Sequence, residues 1–532
     1  MRRIAVLSLL FVVAISAQNL PRLSEVMEVS IVNLEVVVTD RQGNRVQGLT
    51  KDDFEIRESG KPQPITNFAE YRGAEGDAGR ARVEGGAQPI AERPRRTLLI
   101  AIESQRLEPF RAKELFAGLG KFVDEVMGPG DQAMVLSLRP LAAMKVRQAM
   151  TADRAAIHAA LAKVAKEFGV EPADQADAAR QEIAEREALN EEDADREPVL
   201  TTVPGEVCAV QQLVEIRRKA NAVGGLMGSM GALEGRKILL LATRRFGYNA
   251  GVECGVEAWE FKTNRIREQL IEAANANGFT IYSVNPVSDR PLAASAEQRT
   301  AVGNDWAVSQ AVLLNEANSM TEIAEQTGGD MALGPDVVKL LPLIARDLDS
   351  YYSLGYRGDG KKLDRTRNIS VTVKRKDLRV RTRAQVVEKS DETRMKDRVV
   401  AALSYVADPG TITPAVKTGG VKKQSRNRYT LPITVEVPIG QLITVREGDA
   451  HRGAFSLFIG GGNREILFSD VTQRTQVLTI PEAELERAKQ AHFTYNVDLT
   501  IDGKVNRIAV GVYDEVGHEY GVARVDVKAQ EP

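Results

Sequence analysis

Three polar residues that follow an apolar run are the first candidates for a binding site. Residues 98–102 are all apolar, and this pattern predicts a strand buried on both faces of a parallel sheet. Glu103, Ser104 and Gln105 come directly after it. Because ligands of open α/β sheets bind beyond the carboxyl ends of the strands, we expect these three side chains to line the mouth of a site.

The sequence offers little of the chemistry that enzymes use. None of its histidines lies beside a cysteine, a second histidine or a nucleophile motif. The four histidines are His158, His451, His492 and His518. No phosphate-binding P-loop is present, and the adjacent carboxylates Asp52 and Asp53 are expected to cap a helical turn rather than to act in acid–base catalysis. We therefore predict that the protein is not an enzyme.

The charge balance excludes a general attraction to nucleic acid or to anionic membranes. Lys plus Arg number 71 and Asp plus Glu number 73, which gives a net charge of -2. One basic run, residues 374–383, carries Arg379, Arg381 and Arg383 at strand spacing. This run could bind a polyanion, but we favour a solvated edge strand that its charges protect from aggregation. No nucleic-acid partner is predicted.

The first residues predict export. Met1, Arg2 and Arg3 precede an apolar run at 4–17 that is short for a membrane span and suits a signal peptide of residues 1–17. The alternative is an uncleaved N-terminal anchor, and no transmembrane segment is expected afterwards. In a periplasmic or extracellular setting Cys208 and Cys254 could form one disulfide or remain two buried thiols, and the sequence leaves both open.

The middle of the chain alternates between strand and helix patterns. Apolar runs at 132–138, 238–242 and 279–284 predict further buried strands within a segment at 95–349. This rhythm predicts an α/β domain with a doubly wound, mainly parallel sheet of the Rossmann type. A segment at 170–198, rich in Ala, Glu and Asp, is expected to be a solvated insertion.

Strand patterns flank this domain on both sides. Residues 25–75 contain too few strands to close a core alone, and residues 350–388 contain several more. We predict that the strands of 350–388 pair with those of 25–75 to form one β-sandwich, with 369–373 in contact with 29–38, so that the α/β domain is inserted into a β-domain. The other predicted segments are a linker at 76–94, a connector at 389–428 and a C-terminal antiparallel β-sandwich at 429–528.

Several short motifs together resemble the exported VWFA-related domain proteins described from Acidobacteria. The resemblance covers roughly residues 25–388 and does not include the final β-region. The motifs are Val37-Val38-Thr39-Asp40 with Gly43, Gly48-Leu49-Thr50-Lys51-Asp52-Asp53-Phe54, Thr327-Gly328-Gly329, Asp347-Leu348 and Tyr351-Tyr352-Ser353-Leu354-Gly355-Tyr356.

The resemblance implies a von Willebrand factor A (VWA) type fold, which usually binds protein ligands or matrix and has no established reaction. Such domains often hold a divalent cation through an Asp-x-Ser-x-Ser motif, a loop threonine and an aspartate after a later strand. Here Glu103 stands at the first motif position, and Gln105 and Leu107 stand where hydroxyl residues are expected. Thr243-Arg244-Arg245 stands where the aspartate is expected. Two like charges at contact repel by about 1 kcal/mol even in water, so an arginine pair disfavours Mg²⁺.

We therefore predict that the metal site is degenerate and that no cofactor is bound, with a divalent cation such as Mg²⁺ as the alternative. Thr201 and Thr202 are candidate loop threonines, but one of them alone cannot hold a cation. Glu103 is expected to form an ion pair with Arg244 or Arg245. The residues predicted for a ligand-binding site of this kind are Glu103, Ser104, Gln105, Thr202, Thr243 and Arg244.

The predicted function is an exported, non-enzymatic protein-binding, scaffold or adhesion module whose partner is a protein or a cell-surface ligand. The alternative is a cation-dependent adhesin or a metal-dependent hydrolase that uses the top of the sheet. Binding or activity that survives EDTA distinguishes the first from the second.

Overall fold

The computed structural model describes residues 31–72, 82–83, 95–103, 109–138, 144–166, 204–243, 246–254, 256, 259–285, 305–333, 337–358, 360, 363–404, 409–425, 428–462, 471–502 and 505–527. The signal peptide predicted at 1–17 and the insertion predicted at 170–198 lie outside these residues. Two compact units make up most of the chain, a larger one over Glu28–Ala407 and a smaller one over Asp408–Gly461 and Ser469–Pro532.

Strands and helices alternate through the middle of the larger unit, and strands dominate its two ends. Its strands are β1 (Ile31–Thr39), β2 (Phe54–Glu58), β3 (Lys61–Gln63), β4 (Ile65–Tyr71), β5 (Arg82–Val83), β6 (Arg96–Glu103), β7 (Gln132–Leu138), β8 (Lys145–Thr151), β9 (Arg236–Ala242), β10 (Phe279–Asn285), β11 (Met331–Leu333), β12 (Tyr351–Arg357), β13 (Thr366–Val373), β14 (Arg379–Arg381) and β15 (Gln385–Val387). Its helices are α1 (Pro109–Val126), α2 (Arg154–Lys166), α3 (Pro204–Ser229), α4 (Asn264–Ala276), α5 (Asp305–Gln326), α6 (Val337–Asp349) and α7 (Asp391–Ser404). Short 3-10 turns occupy Lys51–Asp53, Val252–Cys254 and Trp259–Phe261.

Six strands of the larger unit form a mainly parallel sheet in the order β11-β10-β9-β6-β7-β8. Neighbouring strands from β11 to β7 are parallel, and β8 pairs antiparallel with β7 at one edge. Alternate residues of β6 face opposite layers: Leu98 and Ile100 pack with α1, α2 and α6, whereas Leu99 packs with α3, α4 and α5. Burial of each such side chain stabilises the fold by about 1.5–3 kcal/mol, which explains why β6 is apolar without interruption.

The strands before and after this sheet pair with each other. β1 pairs with β12, with Val36 opposite Tyr352, and β2 pairs with β13, with Ile56 opposite Val371. The two resulting sheets have the orders β14-β1-β12-β4-β5 and β15-β13-β2-β3 and share one apolar core. The α/β segment therefore lies in sequence between two sets of strands, and the strands before it pair with the strands after it.

The strand pairings specify how this β-region is built and correct one predicted segment. Residues 369–373 pair with β2, and Ile369 and Val371 pack in the same apolar core as alternate residues of 34–38 in β1. The predicted linker at 76–94 includes β5, which pairs with β4.

A buried arginine fastens the β-region to the α/β segment within the larger unit. Arg236, at the start of β9, forms an ion pair with Glu35 of β1 at 2.7 Å from Nε to Oε2. Its Nη1 donates a hydrogen bond of 2.9 Å to the carbonyl oxygen of Leu348, and its guanidinium lies 4.3 Å from the ring centroid of Tyr351. This charge is therefore paired and hydrogen-bonded in the interior, as a buried charge must be.

The smaller unit consists of antiparallel strands around one apolar core. Its elements are β16 (Ala415–Thr418), β17 (Lys422–Ser425), β18 (Arg428–Pro438), β19 (Val445–Glu447), β20 (Ala450–Gly462), β21 (Thr472–Pro481), β22 (His492–Asp502), β23 (Arg507–Asp514), β24 (Tyr520–Asp526), the helix α8 (Leu485–Lys489) and 3-10 turns at Ile439–Gln441 and Glu482–Glu484. β16 and β17 both pair with β18. The connector predicted at 389–428 contains α7 in its first half, whereas its second half belongs to this sheet.

The expected mixture of an α/β segment and antiparallel sheets is confirmed. Within the described part of the chain, no helix combines the length and the apolar character that a membrane crossing requires.

Candidate binding site at the carboxyl edge of the parallel sheet

Three neighbouring strands end in polar residues at the same edge of the six-stranded sheet. Ile102 of β6 is level with Ala242 of β9, and Ala242 is level with Val284 of β10. The residues that follow are Glu103, Thr243 and Asn285. All three are buried. The described residues at the edge where ligands of such sheets bind are therefore polar and buried.

A lysine from α3 reaches this edge. The Nζ of Lys219 lies 2.9 Å from Oε1 of Glu103 and 3.0 Å from Oε1 of Glu215, one turn earlier on α3. The hydroxyl of Thr243 donates a hydrogen bond of 2.7 Å to the other carboxylate oxygen, Oε2, of Glu103. Lys219 is 3% exposed, so the ammonium group is held between two carboxylates in the interior.

The electrostatics favour a charged lysine at this position. Burial alone would lower the pKa of Lys219, but the charges and hydrogen bonds of Glu103 and Glu215 outweigh burial and raise its pKa above the ordinary value of 10.5. Two buried carboxylates facing each other without this cation would repel strongly. Lys219 therefore supplies the positive charge that makes this arrangement stable.

Among the described residues of this edge, the carboxylate of Glu103 is not free to act as a ligand of a divalent cation. Magnesium requires about six oxygen ligands at close to 2.0–2.1 Å. One oxygen of Glu103 accepts a hydrogen bond from the Lys219 ammonium and the other accepts one from the Thr243 hydroxyl. Over the described ranges, no group of three or more His, Cys, Asp or Glu side chains has an arrangement that could hold a metal ion.

The structure brings together two of the predicted site residues. Glu103 and Thr243 are hydrogen-bonded at the predicted edge. Ser104, Gln105, Thr201, Thr202, Arg244 and Arg245 lie outside the described residues. Glu103 was expected to pair with Arg244 or Arg245, which lie outside the described residues, and among the described residues it forms an ion pair with Lys219.

Lys219 and Glu215 were missed although the sequence carried a signal. In α3, Ile216, Ala220 and Val223 form the apolar stripe that packs on the sheet. Lys219 falls within this stripe, and Glu215 precedes it at the i,i+4 spacing of a helical ion pair. A charged residue within the apolar stripe of a helix indicates a buried ion pair.

The predicted capping carboxylate is present. The backbone N–H of Thr50 donates a hydrogen bond of 2.8 Å to Oδ2 of Asp53, at the start of the 3-10 turn. This bond and others lower the pKa of Asp53, so that this carboxylate is charged and serves local structure.

Beyond the sheet edge, α3 exposes an apolar stripe. Val207, Val210 and Val214, spaced three and four residues apart, are 45%, 50% and 37% exposed. They precede Lys219 by 5–12 residues, so they lie about 7–18 Å further along the helix axis, on the side of the carboxyl edge. The disulfide between Cys208 and Cys254 ties this part of α3 to the turn at Val252–Cys254. Exposed apolar stripes of this kind are typical of protein-binding surfaces.

Comparisons with known proteins leave the family open. No family model and no curated protein matches the chain. Among solved structures, the conserved hypothetical protein BatB from Bacteroides thetaiotaomicron is 11% identical, with 48% of this chain and 98% of that chain covered and a TM-score of 0.22. A Northeast Structural Genomics Consortium target, SoR45, is 16% identical over 23% of this chain and 90% of that chain, with a TM-score of 0.15. The human COPII-coat protein Sec24c is 9% identical over 57% of this chain and 46% of that chain, with a TM-score of 0.24. At these TM-scores none of the likenesses supports a function.

Proposed function

We propose that this chain is an exported, non-enzymatic binding or scaffold protein built on a VWA-like domain whose metal site has been replaced by an internal lysine. The observation that carries the proposal is the contact of the Lys219 ammonium with Glu103 and Glu215 at the carboxyl edge of the sheet. In a VWA domain this edge holds the cation, and here a side chain supplies the positive charge.

The assignment to a VWA-like, doubly wound fold rests on the sheet. Five neighbouring strands are parallel, one antiparallel strand closes an edge, and helices pack on both faces. This arrangement is the one that the sequence resemblance implies, and Glu103 stands at the end of its first parallel strand.

Export is supported by the disulfide between Cys208 and Cys254, because such bonds form and persist in oxidising compartments. A periplasmic or extracellular location agrees with the signal peptide expected from residues 1–17. The partner we propose is a protein or cell-surface ligand that covers the exposed stripe of Val207, Val210 and Val214.

The test is capture of a partner by the full-length protein from the exported fraction of the cells that produce it. We expect the same partner to be retained in EDTA and in Mg²⁺, and to be lost with Val210→Asp, which places a charge within the apolar stripe. Val477→Asp is the matched control, because Val477 is 60% exposed and lies in the smaller unit.

Capture that requires Mg²⁺ would contradict the proposal and would support a cation-dependent adhesin. Hydrolysis that EDTA abolishes would support a metal-dependent hydrolase. Retention of the partner by the Val210→Asp variant would refute the proposed surface.

A further inference from the structure

A second site lies at the opposite, amino edge of the parallel sheet. A cavity of about 370 Å³ opens there between the start of β9, the turn before β10, β1 and the segment that leads into α7. Its lining includes Asn33, Lys237, Gly278, Arg383, Lys389 and Asp397. The volume lies within the range of pockets that bind small molecules.

Lys237 is a buried cation on the wall of this cavity. It is 7% exposed, and its Nζ donates hydrogen bonds of 2.7 Å and 3.1 Å to the carbonyl oxygens of Leu233 and Gly231. In the described part of the chain no carboxylate forms an ion pair with it. Burial, together with the positive charges of Lys389 and Arg383, lowers the pKa of Lys237 to about 8. The negative charges of Asp397 and Glu35 act in the opposite direction but do not outweigh these effects. The cavity wall therefore contains a charge that its surroundings offset only in part.

Arg383 is the second cation, and it is partly buried. Its guanidinium has no hydrogen bond or ion pair with any described residue, and burial lowers its pKa. Its Nη1 and the Nζ of Lys237 both lie 3.8 Å from the position that a Cβ on Gly278 would take. Gly278 has a φ of +70° and no side chain, so the two cations face the same open space.

Two of the three described carboxylates that line the cavity are in ion pairs with cations other than Lys237 and Arg383. Asp397 forms an ion pair with Lys389, and Glu388 forms one of 2.8 Å with Arg367. Glu234, the remaining acidic residue of the lining, is exposed to solvent. Since a buried charge without a partner is unfavourable, an anion bound in the cavity would stabilise the excess positive charge.

We propose that this cavity binds an oxyanion, the carboxylate or phosphate group of a small molecule, between Arg383 and Lys237. The planar fork of a guanidinium suits bidentate bonding to such a group, and the ammonium adds a point charge from the adjacent wall. This site is separate from the protein-binding face proposed above, which lies at the other edge of the sheet.

The test is calorimetric titration of the full-length protein with inorganic phosphate and, separately, with succinate, at an ionic strength held constant with chloride. We expect saturable binding of at least one probe, and the probe that binds more tightly identifies the chemistry as phosphate or carboxylate. Arg383→Gln is expected to weaken binding at least tenfold. Arg379→Gln is the matched control, because Arg379 is exposed and lies four residues away on β14, and it should bind as the unaltered protein does.

Absence of saturable binding for both probes overturns the proposal, and so does unchanged affinity in a folded Arg383→Gln variant. If that variant does not fold, Arg383→Lys takes its place. It keeps the charge but loses the fork, so a loss of severalfold is expected and an unchanged affinity again overturns the proposal.

Discussion

Replacement of Lys219 by methionine tests the buried ion pair at the carboxyl edge. Methionine has a similar length but no charge, so Glu103 and Glu215 would be left facing each other in the interior. Removal of one partner from a buried ion pair typically costs about 3–5 kcal/mol. Since a domain is stable by only about 5–15 kcal/mol, this change should remove a large share of the stability of the larger unit.

The assay is urea unfolding followed by tryptophan fluorescence. Trp259 and Trp306 are the two tryptophans of the chain and both belong to the larger unit, so the signal reports that unit. The double variant Lys219→Met with Glu103→Gln removes both charges of the pair, and it should be more stable than Lys219→Met alone.

Lys121→Met is the matched control for this change. Lys121 also forms an i,i+4 pair, with Glu125 at 3.6 Å, but its side chain is 70% exposed. Exposed pairs of this type contribute about 0.3–0.5 kcal/mol. If Lys219→Met costs no more than Lys121→Met, the ammonium does not hold the carboxylates as described.

Three further predictions concern the larger unit. The pKa of Lys237 is about 8 in the folded protein and its ordinary value is 10.5, so the unfolded state binds more protons at pH values between the two. Over this pH range the unfolding free energy of the unaltered protein should therefore rise by on the order of 2–3 kcal/mol relative to that of Lys237→Met. Equal pH profiles of the two proteins would refute this prediction. Replacement of Cys208 and Cys254 by serine opens a loop with a sequence separation of 46 residues and should lower the unfolding free energy by up to about 4 kcal/mol. Urea unfolding of the variant and of the oxidised protein measures this loss, and an unchanged midpoint would show that the bond does not stabilise the fold. Arg236→Met should cost about 3 kcal/mol in the same assay because it strands the carboxylate of Glu35, and a neutral result would show that the arginine does not fasten the β-region.

Much of the fold could be predicted from the sequence because the burial of a strand or helix determines where its apolar residues fall. The unbroken apolar run of β6 follows from helices on both of its faces. The alternation of Ile369 and Val371 identified which face of β13 is buried, but not which strand lies beside it, since alternation carries no information about neighbours. β16 and β17 were missed because they are short and polar.

The candidate site could be predicted only where its residues follow strands. Glu103 and Thr243 were expected at the sheet edge because parallel strands end together there. Lys219 lies 116 residues from Glu103 in sequence, and no local pattern specifies that contact.

The spacing of charges in the basic run at 374–383 predicted only part of its structure. β14 is an edge strand as predicted. However, Arg381 pairs with Asp347 and Asp330, and Arg383 lines the cavity at the amino edge, so only Arg379 of these three arginines is fully solvated. Ion pairs between distant segments decide which charges are buried, and strand spacing does not reveal them.

Magnesium titration of the full-length protein by calorimetry tests the central claim most directly, since that claim is that the Lys219 ammonium occupies the place of a divalent cation. The predicted result is no saturable heat change in the unaltered protein. A tight, saturable heat change that Glu103→Gln abolishes would contradict the account.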